Sequence, residues 1–142
     1  MRLNFKISEF NISGAPIEES IADKILHYHI LPMQTVRNYF AKPIMVSQHS
    51  GYRSKEWELS KGRSGNSQHC FEGNGAVDWT CKNFKSNSHE LLELILKHTK
   101  YTRMAIYKGF IHCDYNTTSS GKREIFTSTP NSKWTLKKIV NS

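Results

Sequence analysis

The spacing of the apolar residues changes about 40 residues into the chain, and this change constrains the fold more than any other feature. Between residues 17 and 40 the apolar residues recur every three or four positions, as on one face of a helix. Pro32 falls inside this stretch, so we expect two helices, or one helix with a sharp break, around Leu31 and Pro32. After Pro43 the apolar residues come in short runs bounded by turn-forming residues, as in strands. This order indicates an α+β domain with a small antiparallel sheet flanked by helices.

Five short segments are strand candidates: residues 44–47, 75–80, 104–107, 110–115 and 123–127. The dipeptide Lys108-Gly109 predicts a tight hairpin between the third and the fourth of them. One further helix is expected over residues 89–100, with Ser88 as its cap. We expect Trp134–Val140 to add an edge strand or a packed tail.

The chain has 142 residues, which is the size of one ordinary domain. We expect a single domain over residues 1–142, with a helical lead-in (1–42), a site-bearing region (43–127) and a C-terminal tail (128–142). No apolar run approaches the roughly 20 residues that span a bilayer, so no membrane span is expected. The N-terminus has no apolar stretch behind its charges, which predicts synthesis in the cytoplasm without a signal peptide.

The formal net charge is +8, and such a surface favours anionic partners. The basic residues are scattered, and no zinc finger or aromatic RNA-binding signature accompanies them. We therefore expect no nucleic-acid partner, and an anionic cell-wall polymer fits the charge equally well. We expect a monomer.

Three stretches carry residue types that bind zinc: SQH at 67–69, GAVD at 75–78 and FIHCD at 110–114. They offer His69, Asp78 and His112, and imidazole and carboxylate groups suit this cation. Three protein ligands leave a fourth tetrahedral position for water, which is the arrangement of a catalytic zinc site. The chain has seven histidines, so a chance triad is the alternative on spacing alone.

Four motifs stand in one order along the chain: SGYRS at 50–54, SQH at 67–69, GAVD at 75–78 and FIH at 110–112. This order resembles the zinc D-Ala-D-Ala metallopeptidase family over about residues 44–126. The family includes D-Ala-D-Ala carboxypeptidases and L-alanyl-D-glutamate endolysins, and it shares its fold with the hedgehog signalling domain. The resemblance implies a zinc cofactor bound by His69, Asp78 and His112. It also implies that Arg53 stabilises the substrate carbonyl or the developing oxyanion, as a cationic side chain near the reacting carbonyl would.

The sequence departs from the family pattern between the first two ligands. Asp78 lies nine residues after His69, where the family usually has seven, so residues 70–75 carry a two-residue insertion. Glu72 lies within that insertion. Its carboxylate is an alternative zinc ligand to Asp78, or an alternative catalytic base.

A second departure concerns the catalytic base. Many family members carry an acid three residues before the last histidine, and Gly109 stands there in this chain. The segment 109–114 resembles a Gly-Phe-Val-His-Val-Asp version found in related murein endopeptidases. Asp114 lies on the same face of a strand as His112, so it is the first choice for the base or for a residue that orients His112. Glu72 is the alternative base.

These features predict a zinc-dependent peptidase that hydrolyses amide bonds of peptidoglycan stem peptides, as a carboxypeptidase or an endopeptidase. The expected partner is a peptidoglycan peptide, and the expected place of action is the cell wall, as a phage lysin or a virion component. One alternative is an inactive zinc-binding domain of the same fold that binds wall peptide or a partner protein. A basic nucleic-acid-binding or structural virion protein without metal is the other.

Overall fold

The computed structural model describes residues 3–11, 16–47, 50, 52, 59–62, 68–71, 73–128 and 133–140. The segment with helical spacing in the first third of the chain forms one continuous helical run over residues 19–40. It consists of α1 (Glu19–Lys24), a π-helical segment (Ile25–Ile30) and α2 (Leu31–Phe40), and a short 3-10 helix (Ile7–Phe10) precedes it. No helix in these ranges is long and apolar enough to cross a bilayer.

A second α-helix begins at Leu31, as one of the two alternatives predicted, but the sharp break is wrong, because the π-helical segment joins α1 to α2 without interruption. A proline cannot donate to the carbonyl four residues earlier, and its ring clashes with that carbonyl in an α-helix. The turn before it widens to a π-helix, in which the Leu31 N–H donates to the carbonyl of Leu26. The carbonyl of Tyr28, which Pro32 cannot bond, accepts a hydrogen bond from the Tyr115 hydroxyl at 2.5 Å.

The described strands form one sheet of six, with the order β1-β2-β4-β3-β5-β6. The strands are β1 (Ile44–Val46), β2 (Ala76–Cys81), β3 (Arg103–Ile106), β4 (Ile111–Asp114), β5 (Arg123–Ser128) and β6 (Trp134–Val140). The α+β class is confirmed, and β6 is the edge strand that the sequence offered as one of two choices. Four pairings are antiparallel, but β5 lies parallel to β3. The last residue of β4, Asp114, and the start of β5 both lie beside Arg103, the first residue of β3, so β5 begins at the same end of the sheet as β3 and runs in the same direction.

The third α-helix, α3 (Phe84–His98), begins five residues earlier than the sequence indicated. Its N-cap is Asn83, whose backbone is left-handed with φ 55°, and Ser88 lies inside the helix. Asparagine tolerates this conformation better than most residues. The apolar ring of Phe84 is buried against the core, which favours a helix that already includes it. The assignment of Ser88 as the cap is therefore wrong.

The alternation of side chains along β2 and β4 separates the hydrophobic core from a polar face. On one face Val77 and Trp79 of β2 are fully buried, and Phe5 and Phe10 meet the Trp79 ring edge-on at 5.2 and 5.6 Å between centroids. Asp78, between Val77 and Trp79, points to the opposite face of the sheet. Asp78 pairs directly with His112 across the two strands, so these side chains share the opposite face.

Candidate metal centre

Three predicted ligands, His69, Asp78 and His112, come together in the structure, and all three are buried. One potential ligand atom from each lies within 4.8 Å of the others. Nδ1 of His112 is 2.9 Å from Oδ1 of Asp78, and Nε2 of His69 is 3.5 Å from the same oxygen. The two imidazole rings meet at a steep angle, with 5.2 Å between their centroids.

The backbone of Asp78 is held in place by hydrogen bonds on two sides. Its N–H donates to the Ser50 hydroxyl, and its carbonyl accepts from the Ser47 N–H at 2.8 Å. Ser50 begins the SGYRS motif, so one described residue of that motif holds the backbone of Asp78, the proposed carboxylate ligand. His69 comes from a short 3-10 turn (Gln68–Cys70), which contacts β2.

Asp114 lies on the far side of His112 from Asp78. Its Oδ2 accepts from His112 Nε2 at 2.8 Å, while Nδ1 of the same ring faces the cluster. Arg103 of β3 binds Asp114 with two nitrogens, Nε to Oδ1 at 2.8 Å and Nη2 to Oδ2 at 2.6 Å. The backbone N–H of Asn116 adds a third donor, to Oδ1 at 3.0 Å. The Asp114 side chain is fully buried, so both of its oxygens are engaged within the protein.

The charges in the cluster shift one another's pKa values. Burial lowers the pKa of His112, but hydrogen bonds to Asp114 and Asp78 outweigh this and raise the pKa to about 9. Burial raises the pKa of Asp114, but His112 and Arg103 outweigh it and lower the pKa to about 2. Burial acts the same way on Asp78, and the two histidines lower its pKa well below the usual range. The site therefore favours a positive charge between ionised carboxylates.

The donor set fits a zinc ion. Ligands at about 2.0–2.1 Å from a tetrahedral zinc lie about 3.3 Å from one another. The distances from Asp78 Oδ1 to the two imidazole nitrogens, 2.9 and 3.5 Å, lie on either side of this value. The hydrogen bond from the other nitrogen of His112 to Asp114 is the kind of contact that fixes a metal-binding imidazole in one tautomer.

The loop that carries the two-residue insertion is held by the helical run. Lys24 donates to the carbonyl of Phe71 at 3.1 Å, and Nε2 of His29 lies 2.8 Å from the carbonyl of Asn74. Phe71 has a left-handed backbone with φ 58°, which is rare for a bulky residue. Its ring lies against Gly75, where a Cβ would overlap it and where φ is also positive. The loop between His69 and Asp78 is thus fixed at both ends.

His29 is buried in the π-helical segment, and its contacts define its tautomer. The carbonyl of Asn74 can only accept, so Nε2 carries the proton, and Nδ1 accepts from the Tyr101 hydroxyl at 2.7 Å. Trp79 donates to the same hydroxyl oxygen at 3.2 Å. Burial lowers the pKa of His29 to about 4, which keeps the ring neutral.

Two other predicted site residues, Arg53 and Glu72, lie outside the described residues, and their roles stay predictions. Gly109 lies in the β3–β4 turn, where its carbonyl accepts from the Thr80 hydroxyl at 2.7 Å. The sequence interpretation missed Arg103. The predicted hairpin could have indicated this residue, because a turn at Lys108 and Gly109 places Arg103 opposite Asp114, as observed in the structure.

The profile of the peptidase M15 family matches residues 3–114. The matched region runs from the lead-in to the end of β4, so it includes the three clustered residues and Asp114. Comparisons with curated proteins and with solved structures yield no significant match. The profile nevertheless covers well over half of the chain, and the motifs and the mixed α/β architecture agree with it. The chain therefore belongs to the peptidase M15 family, the zinc D-Ala-D-Ala metallopeptidases.

Proposed function

We propose that this zinc peptidase hydrolyses amide bonds in the stem peptides of peptidoglycan. The observation that carries the proposal is the buried cluster of two imidazoles and one carboxylate within a domain of the M15 family. The family acts on peptidoglycan peptides. The net charge of +8 suits an anionic wall, so we place the action of the protein there, as a lysin or a virion-borne enzyme.

In this proposal His69, Asp78 and His112 hold the zinc. An ion in such a site supplies Lewis acidity, which activates water at neutral pH and polarises the amide carbonyl. The chain's contribution is to fix the three side chains before substrate arrives. The bonds from Ser50 and Ser47 fix Asp78, and the Asp114 contact fixes the ring of His112.

We assign Asp114 to orienting His112, the second of the two roles that the sequence allowed. Three observations support this assignment. Asp114 meets the ring nitrogen that faces away from the cluster, both of its oxygens are bonded, and Arg103 and His112 keep it ionised. A proton acceptor for the attacking water would have to lie on the Nδ1 side of the ring.

We assign the proton transfer to Glu72 and the stabilisation of the oxyanion to Arg53. Glu72 lies between Phe71 and Gly73 in the loop that joins His69 to Asp78, and the ends of that loop are fixed. Arg53 occupies the family's arginine position in the SGYRS motif. A guanidinium group there would stabilise negative charge as it develops on the carbonyl oxygen.

Zinc content and digestion of purified peptidoglycan, measured on the same preparations, test the proposal. We expect one zinc per chain and release of peptide fragments by the wild type, and His69→Ala should lose both. His27→Ala is the matched control, because His27 is an exposed histidine of the π-helical segment and should keep both. Zinc binding without any released fragment would overturn the enzyme assignment in favour of a zinc-dependent binding domain. Mass spectrometry of the fragments identifies the bond that is cut.

A further inference from the structure

A tryptophan from beyond the family match lies against the metal centre. The match ends at residue 114, and β6 lies 20 residues further along the chain. Its first residue, Trp134, contacts the ring of His112, with 5.1 Å between ring centroids and 59° between the planes. A segment outside the matched residues thus contributes directly to the surroundings of a proposed ligand.

Three further contacts hold the Trp134 ring in place. The guanidinium carbon of Arg103 lies 4.8 Å from its centroid, within the range of a cation–π interaction. The ring of Phe126 lies 5.2 Å away, and the indole N–H donates to the Tyr107 hydroxyl at 2.9 Å. Trp134 therefore contacts both side chains that are bonded to Asp114, His112 and Arg103.

The charged side chains next to this ring are largely shielded from water. Residues 135–139 of β6 are exposed, whereas Trp134 is half-buried against the sheet. The side chains of His112 and Arg103, which it contacts, are only 10% and 22% exposed, and that of Asp114, which lies between them, has no exposed surface. Hydrogen bonds between charged groups are stronger where water is excluded, because the local dielectric constant is lower. An indole ring over Arg103, Asp114 and His112 would exclude water from the hydrogen bonds between them.

We propose that Trp134 is a positioning residue of the metal centre. It covers the hydrogen-bonded chain from Arg103 through Asp114 to His112, and so keeps Nδ1 of His112 directed at Asp78. This inference rests on the proposed zinc site, but the covering of the chain by Trp134 can be tested without metal. It gives the segment beyond the family match a defined part in the site.

The first experiment measures zinc affinity by competition with a chelating dye. Trp134→Ala should weaken zinc binding by about tenfold or more, which is the usual effect of losing support around a ligand. Trp134→Phe keeps an aromatic ring over His112 and should stay within about threefold of the wild type. Leu136→Ala is the matched control, because it truncates an exposed apolar residue of the same strand. A loss in Leu136→Ala equal to that in Trp134→Ala would assign the effect to β6 as a strand and overturn the proposal.

The second experiment uses full-length protein without added metal, labelled with ¹⁵N at histidine. The proton between His112 Nε2 and Asp114 gives an imidazole resonance whose exchange with water is measured directly. Trp134→Ala should speed this exchange at least about tenfold, and Leu136→Ala should leave it unchanged. Equal exchange rates in wild type and Trp134→Ala would overturn the proposal, whatever the zinc affinity. A wild type that binds no zinc, but in which Trp134→Ala speeds exchange, would reject the zinc site and retain the covering role.

Discussion

At the scale of single residues, the two nitrogens of His112 separate two functions. Nδ1 faces Asp78 and the cluster, and Nε2 faces Asp114. The carboxylate of Asp114 is also held by Arg103, so its charge is balanced from two sides. With both oxygens bonded in this way, the Asp114 carboxylate can hold the His112 ring in one orientation, but it is poorly placed to accept a proton from water.

The substitution Asp114→Asn distinguishes these two roles. It keeps the shape of the side chain, but it removes the charge that pairs with His112 and Arg103. If Asp114 orients His112, zinc affinity should fall by about 10–100-fold, and activity should return when zinc is added in excess. The measurement is peptidoglycan digestion at increasing free zinc. Activity that stays lost at saturating zinc would identify Asp114 as the base, and Glu72→Gln should then retain activity.

At the scale of secondary-structure elements, local sequence predicted most of the sheet. The apolar runs and the Lys108-Gly109 turn placed β1 to β5 within two residues of their observed bounds. The same hairpin brings Arg103 opposite Asp114, so this pair follows from counting back from the turn. The three clustered residues also follow from sequence, but only through the motif order, because spacing alone does not distinguish a ligand from any other histidine.

Contacts between distant segments could not be predicted, because nothing local encodes them. The start of α3 depends on the burial of Phe84 in the core, and a capping pattern at Ser88 carries no information about that burial. The hydrogen bond from His29 to the Asn74 carbonyl joins residues 45 positions apart, and the contact of Trp134 with His112 joins two different strands. Such pairs become visible only once the elements are packed.

The hydrogen bonds of His29 to Asn74 and Tyr101 give a prediction about the π-helical segment. His29→Leu should lower the free energy of unfolding by about 2–4 kcal/mol, because the Tyr101 hydroxyl and the Asn74 carbonyl lose a buried partner. His29→Gln should recover part of this loss, since its amide can donate to the same carbonyl. Urea denaturation of both variants measures the change.

The exposed neighbour His27 provides the control for this element. His27→Leu alters the same segment at the surface and should change the free energy of unfolding by less than about 0.5 kcal/mol. A loss in His29→Leu no larger than in His27→Leu would show that the bonds to Tyr101 and Asn74 contribute little. The position of the insertion loop would then depend on its other contacts, the Lys24 bond to the Phe71 carbonyl and the packing of Phe71 on Gly75.

At the scale of the whole molecule, the proposed ligands come from parts of the chain that are well separated in sequence. His69 follows the segment after β1, Asp78 lies in β2, and His112 lies in β4 beyond α3. In the unfolded chain these side chains are far apart, so zinc binds the folded state far more tightly than the unfolded one. Zinc should therefore stabilise the whole domain.

The size of this stabilisation follows from mass action. Free zinc at 1,000 times its dissociation constant should add about 4.1 kcal/mol to the free energy of unfolding, and a chelator should remove it. Thermal denaturation with zinc and with chelator measures the difference in Tm. The difference should vanish in His69→Ala and persist in His27→Ala, because only His69 belongs to the cluster. An equal difference in both variants would place the bound zinc elsewhere on the chain and reject the site formed by His69, Asp78 and His112.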